Sequence, residues 1–170
     1  MLSNKDKEYL KKNNTDYSGN IKLFEYESAA NPELKPVPCE KIDFDLVKNL
    51  LLDDNEILDV DFSKLMELNY RCTSPNLLTS YIKLGNLGKI TENNLATSHT
   101  YYVIQGNGKT IADNDTIYWS KGDIFTLPTS KNITHFNLDD NVSYLFTVND
   151  KPLTEYLGVK PEKKRFSISY

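Results

Sequence analysis

Cysteine is scarce in this chain: Cys39 and Cys72 are the only two in 170 residues. One conceivable disulfide is no framework for a domain of this size, so the fold has to rest on a packed core. Histidine is as rare, with His99 and His135 alone, which excludes a site built from several imidazoles. Arginine occurs only at Arg71 and Arg165, and the net charge is −4. That balance leaves no basic face for nucleic acid or an anionic membrane surface. The lysines gather instead in "KDKEYLKK" and "KPEKKRF" near the two ends, where they read as solvated tails. Long apolar runs are missing too. No stretch approaches the ~18 residues of a membrane span, and "MLSNKDKEYLKK" lacks the apolar centre of a secretory leader. These absences predict a cytoplasmic protein with free thiols and neither a nucleic-acid nor a membrane partner.

What is present divides the chain into three expected parts: 1–70, an N-terminal arm, helix and accessory strand packed on a barrel; 71–161, the barrel; and 162–170, a C-terminal tail. Within the first part, "SAANPELKPVPCEK" has three prolines and cannot continue a helix or a central strand. Residues 21–41 therefore read as an extended arm, laid on the body or on a second copy of the chain. "DFDLVKNLLLDD" predicts one short helix, capped by Asp43, with Phe44, Val47, Leu50 and Leu51 on one face. "ILDVDFSKLMELN" reads as a strand and then a turn.

From residue 71 the character changes. "LLTSYIKLG", "SHTYYVIQG", "KTIAD", "DTIYWS", "DIFTLP", "ITHFNL" and "VSYLFTV" are short segments rich in β-branched and aromatic residues, separated by Gly, Asn and Asp turns. Many short strands at even spacing predict an all-β sandwich or small barrel. Gly106 and Gly108 fit positive φ in a hairpin, Gly122 a turn, and Pro128 the end of a strand. "NDKPLTEYLGV" would close the barrel with a turn and one helical turn.

The stretch "VIQGNGKTIADNDTIYWSKGDIFTLP", followed by a histidine on the next strand, resembles the cupin superfamily. "YLFTVNDKPLTEYLGV" and "RCTSPNLLTSYIKLG" resemble the end and the lead-in strand of the gentisate 1,2-dioxygenase-like members. The resemblance implies a double-stranded β-helix, the jelly-roll cupin barrel, with an N-terminal arm, one short helix and pairing into a homodimer. It also implies places for metal ligands: an H-x-H, a glutamate and a later histidine. Counted back from Gly106, the H-x-H places fall on Asn93 and Leu95 and the glutamate place on His99. The later place falls on Ile133, with His135 two residues on. Leucine and isoleucine offer no lone pair, and asparagine alone is a poor ligand for iron or zinc. No Asp or Glu is expected on the motif strands to complete a set with the two histidines. The expected cofactor is therefore none, with iron or zinc on His99 and His135 as the minor alternative.

Strand parity supplies a second expectation. Side chains two apart share a face, so Thr97, His99 and Tyr101 would face inward on one motif strand, and His135 and Asn137 on the other. With Arg71, a potential carboxylate clamp beside the first barrel strand, they make up a candidate pocket. It is a hydrogen-bonding pocket for a small molecule, aromatic or carboxylated, and no catalytic residue is assigned. The bland alternatives are satisfied interior histidines and a surface ion pair at Arg71. A cupin enzyme is the competing function: either a metal-independent isomerase or lyase working by acid–base chemistry, or an iron-dependent oxygenase resembling the gentisate dioxygenases. Whether Ser80 or Tyr81, and Leu145 or Tyr144, face the same interior stays open at the level of sequence.

Overall fold

The computed structural model describes residues 37–93, 96–129 and 132–161. Most of the expected arm at 21–41, Leu95, Arg165 and the tail at 162–170 lie outside the described residues.

The first helix among the described residues, α1 (Phe44–Leu50), starts where Asp43 can cap it: the carboxylate accepts from the Asp45 N–H at 2.8 Å. The apolar face is narrower than expected. Val47 and Leu51 are buried, but Leu50 is 51% exposed, because the helix stops there and the Leu51 backbone turns extended.

Among the described residues nine strands follow: β1 (Asn55–Val60), β2 (Leu78–Leu84), β3 (Lys89–Glu92), β4 (Ser98–Gln105), β5 (Asn107–Ala112), β6 (Asp115–Ser120), β7 (Ile124–Pro128), β8 (Ile133–Asn137) and β9 (Ser143–Asn149). They form two antiparallel sheets, ordered β1-β2-β9-β4-β7 and β3-β8-β5-β6. The two sheets are the layers of an all-β jelly roll. A second helix, α2 (Lys151–Leu157), comes after β9, with proline in its first turn and Gly158 in the left-handed conformation at its C-cap. The helical turn expected in "NDKPLTEYLGV" is a complete short helix, with a proline start and a glycine stop.

Alternation sets the interior. On β2 the buried residues are Leu78, Ser80, Ile82 and Leu84, and on β9 they are Ser143, Leu145, Thr147 and Asn149. That resolves the open parity: Tyr81 and Tyr144 lie on the other face, where Phe44 of α1 meets them with ring centroids at 5.8 and 5.4 Å. The core joins Ile82, Leu84, Tyr101, Val103, Trp119, Ile133 and Leu145 across the two sheets. Each such side chain contributes roughly 1.5–3 kcal/mol by leaving water.

The two glycines of "GNG" have different tasks. Gly106, at φ 93°, turns the chain out of one sheet and into the other. Gly108 was expected to need positive φ and does not. It is required for space, because a Cβ there would lie 2.2 Å from the Phe136 carbonyl oxygen and 2.3 Å from the Trp119 ring. The hairpin is one element later, between β5 and β6, with Asp113 at φ 52°. Both cysteines are free, Cys72 buried and Cys39 exposed. No helix among the described residues is long and apolar enough to cross a membrane.

Candidate functional site

The alternation of "KITE" on β3 sends Ile90 and Glu92 inward, and Glu92 is only 2% exposed. Its Oε1 lies 2.8 Å from Nε2 of His135 on β8 and accepts the Tyr101 hydroxyl from β4 at 3.1 Å. The carboxylate thus ties the two sheets together. Behind it, His135 Nδ1 is 2.7 Å from the Thr110 hydroxyl of β5, which accepts the Trp119 Nε1–H of β6 at 2.9 Å.

The ends of this chain fix two of its bonds. An indole N–H only donates and an ionised carboxylate only accepts. His135 therefore donates Nε2–H to Glu92. The Thr110 oxygen receives the indole, and Nδ1 shares a proton with the Thr110 hydroxyl. Burial pushes the Glu92 carboxyl upward, but the His135 hydrogen bond and charge, with the His99 charge and the Tyr101 hydroxyl, hold it below the ordinary carboxylate value. Tyr101 moves the other way: burial, then the Glu92 charge, raise its phenol well above the usual value. At neutral pH the centre of the barrel holds an ionised glutamate and a protonated tyrosine.

Tyr101 contacts both imidazoles. Its ring centroid is 6.0 Å from that of His99, with the planes nearly parallel, and 5.0 Å from that of His135. Both histidines are fully buried. Two sequence-predicted residues are not part of this cluster, and the structure corrects their placement. Thr97 precedes β4, where the backbone bends before strand parity begins. It is exposed, its N–H reaching Asp150 Oδ1 at 2.7 Å and its hydroxyl bonding the other Asp150 oxygen. Arg71 pairs with Asp59 at 3.1 Å, its side chain 72% exposed. Asn137 is interior, but its amide ties together strand ends. Nδ2 donates to the Gly85 and Asn141 carbonyls, each at 2.7 Å, and Oδ1 accepts from Ser143 Oγ at 2.7 Å.

Glu92 is the residue that sequence reasoning missed: the two motif strands carry no acid, but neighbouring β3 brings one against His135. The alternation of "KITE" and its place one residue before Asn93 could have found it. Two imidazoles and a carboxylate are donor types that iron accepts. Their arrangement does not fit a metal: the Glu92 oxygen and His135 Nε2 face each other at hydrogen-bond distance, and His135 Nδ1 is engaged by Thr110. Among the described residues no group of three or more His, Cys, Asp or Glu is placed to hold an ion. Asn93 is exposed and Ile133 is a buried apolar residue.

Two antiparallel sheets closed over an interior reached by both motif strands make this the cupin fold. No family profile matches the chain. It is 38% identical over 69 residues to 5-aminosalicylate 1,2-dioxygenase of Comamonas sp, a match spanning 40% of this chain and 18% of that enzyme. The salicylate 1,2-dioxygenase of Pseudaminobacter salicylatoxidans superposes with a TM-score of 0.52 at 18% identity, over 69% of this chain and 34% of that one. Its adduct with gentisate gives 0.51 at 19% identity, over 72% and 33%. The chain thus spans about a third of the structural relative's length and less than a fifth of the 5-aminosalicylate enzyme's. At these identities the superpositions speak for the fold.

Proposed function

We propose that this chain is a small-molecule-binding cupin that works without a resident metal and takes a small aromatic carboxylate into its barrel. The observation that carries the reading is the Glu92–His135–Tyr101 cluster. An ionised carboxylate taken from water is a poor source of stability, and well-packed apolar residues of similar volume often serve a core as well or better. Polar groups with displaced pKa values, gathered inside a barrel, are more typical of a site. The named substrates of the relatives, salicylate and 5-aminosalicylate, supply the ligand class. Entry requires a strand to move, and β3, four residues long with one neighbour in its sheet, has the least pairing to lose.

The test is a thermal-shift series with salicylate, 5-aminosalicylate, gentisate and benzoate, backed by calorimetric titration. At least one should raise Tm and bind with a measurable Kd in wild type and more weakly in Tyr101→Phe. Absence of binding by every member at millimolar concentration overturns the reading.

A second reading is supported by the hydrogen-bond chain from Trp119 to Glu92. A histidine oriented by a carboxylate is the arrangement of a general base; here a substrate would reach His135 Nδ1 by displacing the Thr110 hydroxyl. Ligand-dependent exchange of a carbon-bound proton into deuterated water, abolished in His135→Asn, would favour it over binding alone.

A further inference from the structure

The Glu92–His135 end of the barrel accounts for its own hydrogen bonds; the β9 strand beside Tyr101 and His99 does not. In the β4–β9 ladder His99 is paired with Asn149, and Tyr101 with Thr147. All four side chains are interior, none more than 2% exposed. The start of α2 fixes the orientation of the Asn149 amide, because Oδ1 accepts the Lys151 N–H at 3.1 Å. A backbone N–H can only donate, so the oxygen must face the helix and Nδ2 must face away from it. That Nδ2 and the Thr147 hydroxyl oxygen are buried with no hydrogen-bond partner among the described residues. Thr147 faces the Tyr101 phenol oxygen and holds its pKa down, without reaching hydrogen-bond geometry. Buried polar atoms are nearly always paired, so two unpartnered ones on the same face of one strand call for an explanation.

Resting on the reading of the barrel as a carboxylate-binding site, we propose that Asn149 and Thr147 hold the carboxylate of the ligand. The amide N–H and the hydroxyl are donors separated by two residues along one face of β9, and a carboxylate supplies acceptors without asking for donors in return. The ring of the ligand would then lie along Tyr101, which already stacks on His99 and, at 4.8 Å, on Phe125. The Glu92 carboxylate is itself held by His135 and Tyr101.

The experiment is calorimetric titration of benzoate into wild type, Asn149→Asp and Thr147→Val, with Tm recorded for each. Asn149→Asp keeps an oxygen for the Lys151 N–H and replaces the inward donor by an anionic acceptor; Thr147→Val keeps the shape and removes the hydroxyl. Benzoate should bind at least about tenfold more weakly to Asn149→Asp and roughly threefold or more weakly to Thr147→Val. If Asn149→Asp does not fold, Thr147→Val decides. Unchanged affinity in the folded variants overturns the assignment while leaving the carboxylate reading intact. So does a wild-type crystal structure in benzoate with water alone bridging Asn149 and Thr147 and benzoate elsewhere in the barrel. If wild type binds no carboxylate, the broader reading fails, and this one with it.

Discussion

His135 and Glu92 meet at 2.8 Å with no solvent access to either side chain. A pair in that position differs from a surface ion pair. Its partners have no water to fall back on, so removing either one leaves the other buried and unsatisfied. Glu92→Ala should therefore lose about 3–5 kcal/mol of unfolding free energy. That is a large part of the ~5–15 kcal/mol available to an ordinary domain. Replacing both residues together by a matched apolar pair should lose less than the sum of the single losses. Urea unfolding of the double-mutant cycle measures this, and strict additivity would show that the two groups do not depend on each other.

The same pair sets an acid limit to stability. The folded Glu92 carboxyl lies below its ordinary value, so the folded state binds its proton less readily than the unfolded chain does. Its contribution is present above the unfolded value of about 4.3 and is lost as pH falls through the folded one. Tyr101 acts with the opposite sign, its phenol being raised in the fold. Its contribution is full below about pH 10 and declines as pH rises beyond that. Wild type should lose Tm on both flanks. Glu92→Gln should flatten the acid flank and Tyr101→Phe the alkaline one, and flanks unmoved by either substitution would place the titrating groups elsewhere.

Thr110 makes a sharper test of the hydrogen-bond chain, because Thr110→Val changes almost nothing in shape. It would leave the Trp119 Nε1–H and His135 Nδ1 without their present partner. Each unsatisfied buried group costs about 1–3 kcal/mol. The indole should also report the change directly, through its N–H chemical shift and its fluorescence. A variant as stable as wild type, with an unmoved indole resonance, would mean that the chain is not formed in solution.

The barrel was legible in the sequence because its information is local. Alternation and turn residues sufficed for β2 and β4 to β9, and parity on β4 and β8 directed His99, Tyr101 and His135 inward as the structure has them. The failures occur where parity meets a chain irregularity. Thr97 has the right spacing but precedes the strand, and a bend turns it out to Asp150. Glu92 sits on a strand of four residues, too short for its alternation to stand out, and its partner His135 is 43 positions away. Gly108 reads as a turn residue because glycine does so in most hairpins. Its actual constraint, the Trp119 ring, comes from a neighbouring strand and is invisible to local pattern.

That constraint predicts a large effect from a single methyl group. Gly108→Ala would put a Cβ at 2.2 Å from a carbonyl oxygen of β8 and 2.3 Å from the indole, so the backbone or the ring must move. Overpacking of this kind typically costs about 1–3 kcal/mol. Displacing Trp119 would also disturb its bond to Thr110, and the loss should reach the upper end of that range. Gly122→Ala is the control: nothing lies within 4 Å of a Cβ there, and only its φ of 92° opposes the substitution. Gly108→Ala should lower Tm more than Gly122→Ala and shift the indole emission, which Gly122→Ala should leave in place. The reverse order would show that backbone strain at the turn outweighs the contact with Trp119.

Metal addition bears on the centre of the barrel most directly. Coordination would require the Glu92 oxygen and His135 Nε2 to part and a third donor to join them, whereas at present they satisfy each other. Iron(II), zinc or manganese added to chelator-treated protein should therefore leave Tm within about a degree of the metal-free value, since a ligand that binds only the folded state must raise it. His135→Asn supplies the comparison: with the pair broken the variant is less stable, and metal should not rescue it. A stoichiometric rise in the wild-type Tm, lost in both Glu92→Gln and His135→Asn, would show that the carboxylate and the imidazole separate readily enough to grip an ion. Their hydrogen bond would then be the resting state of a metal site.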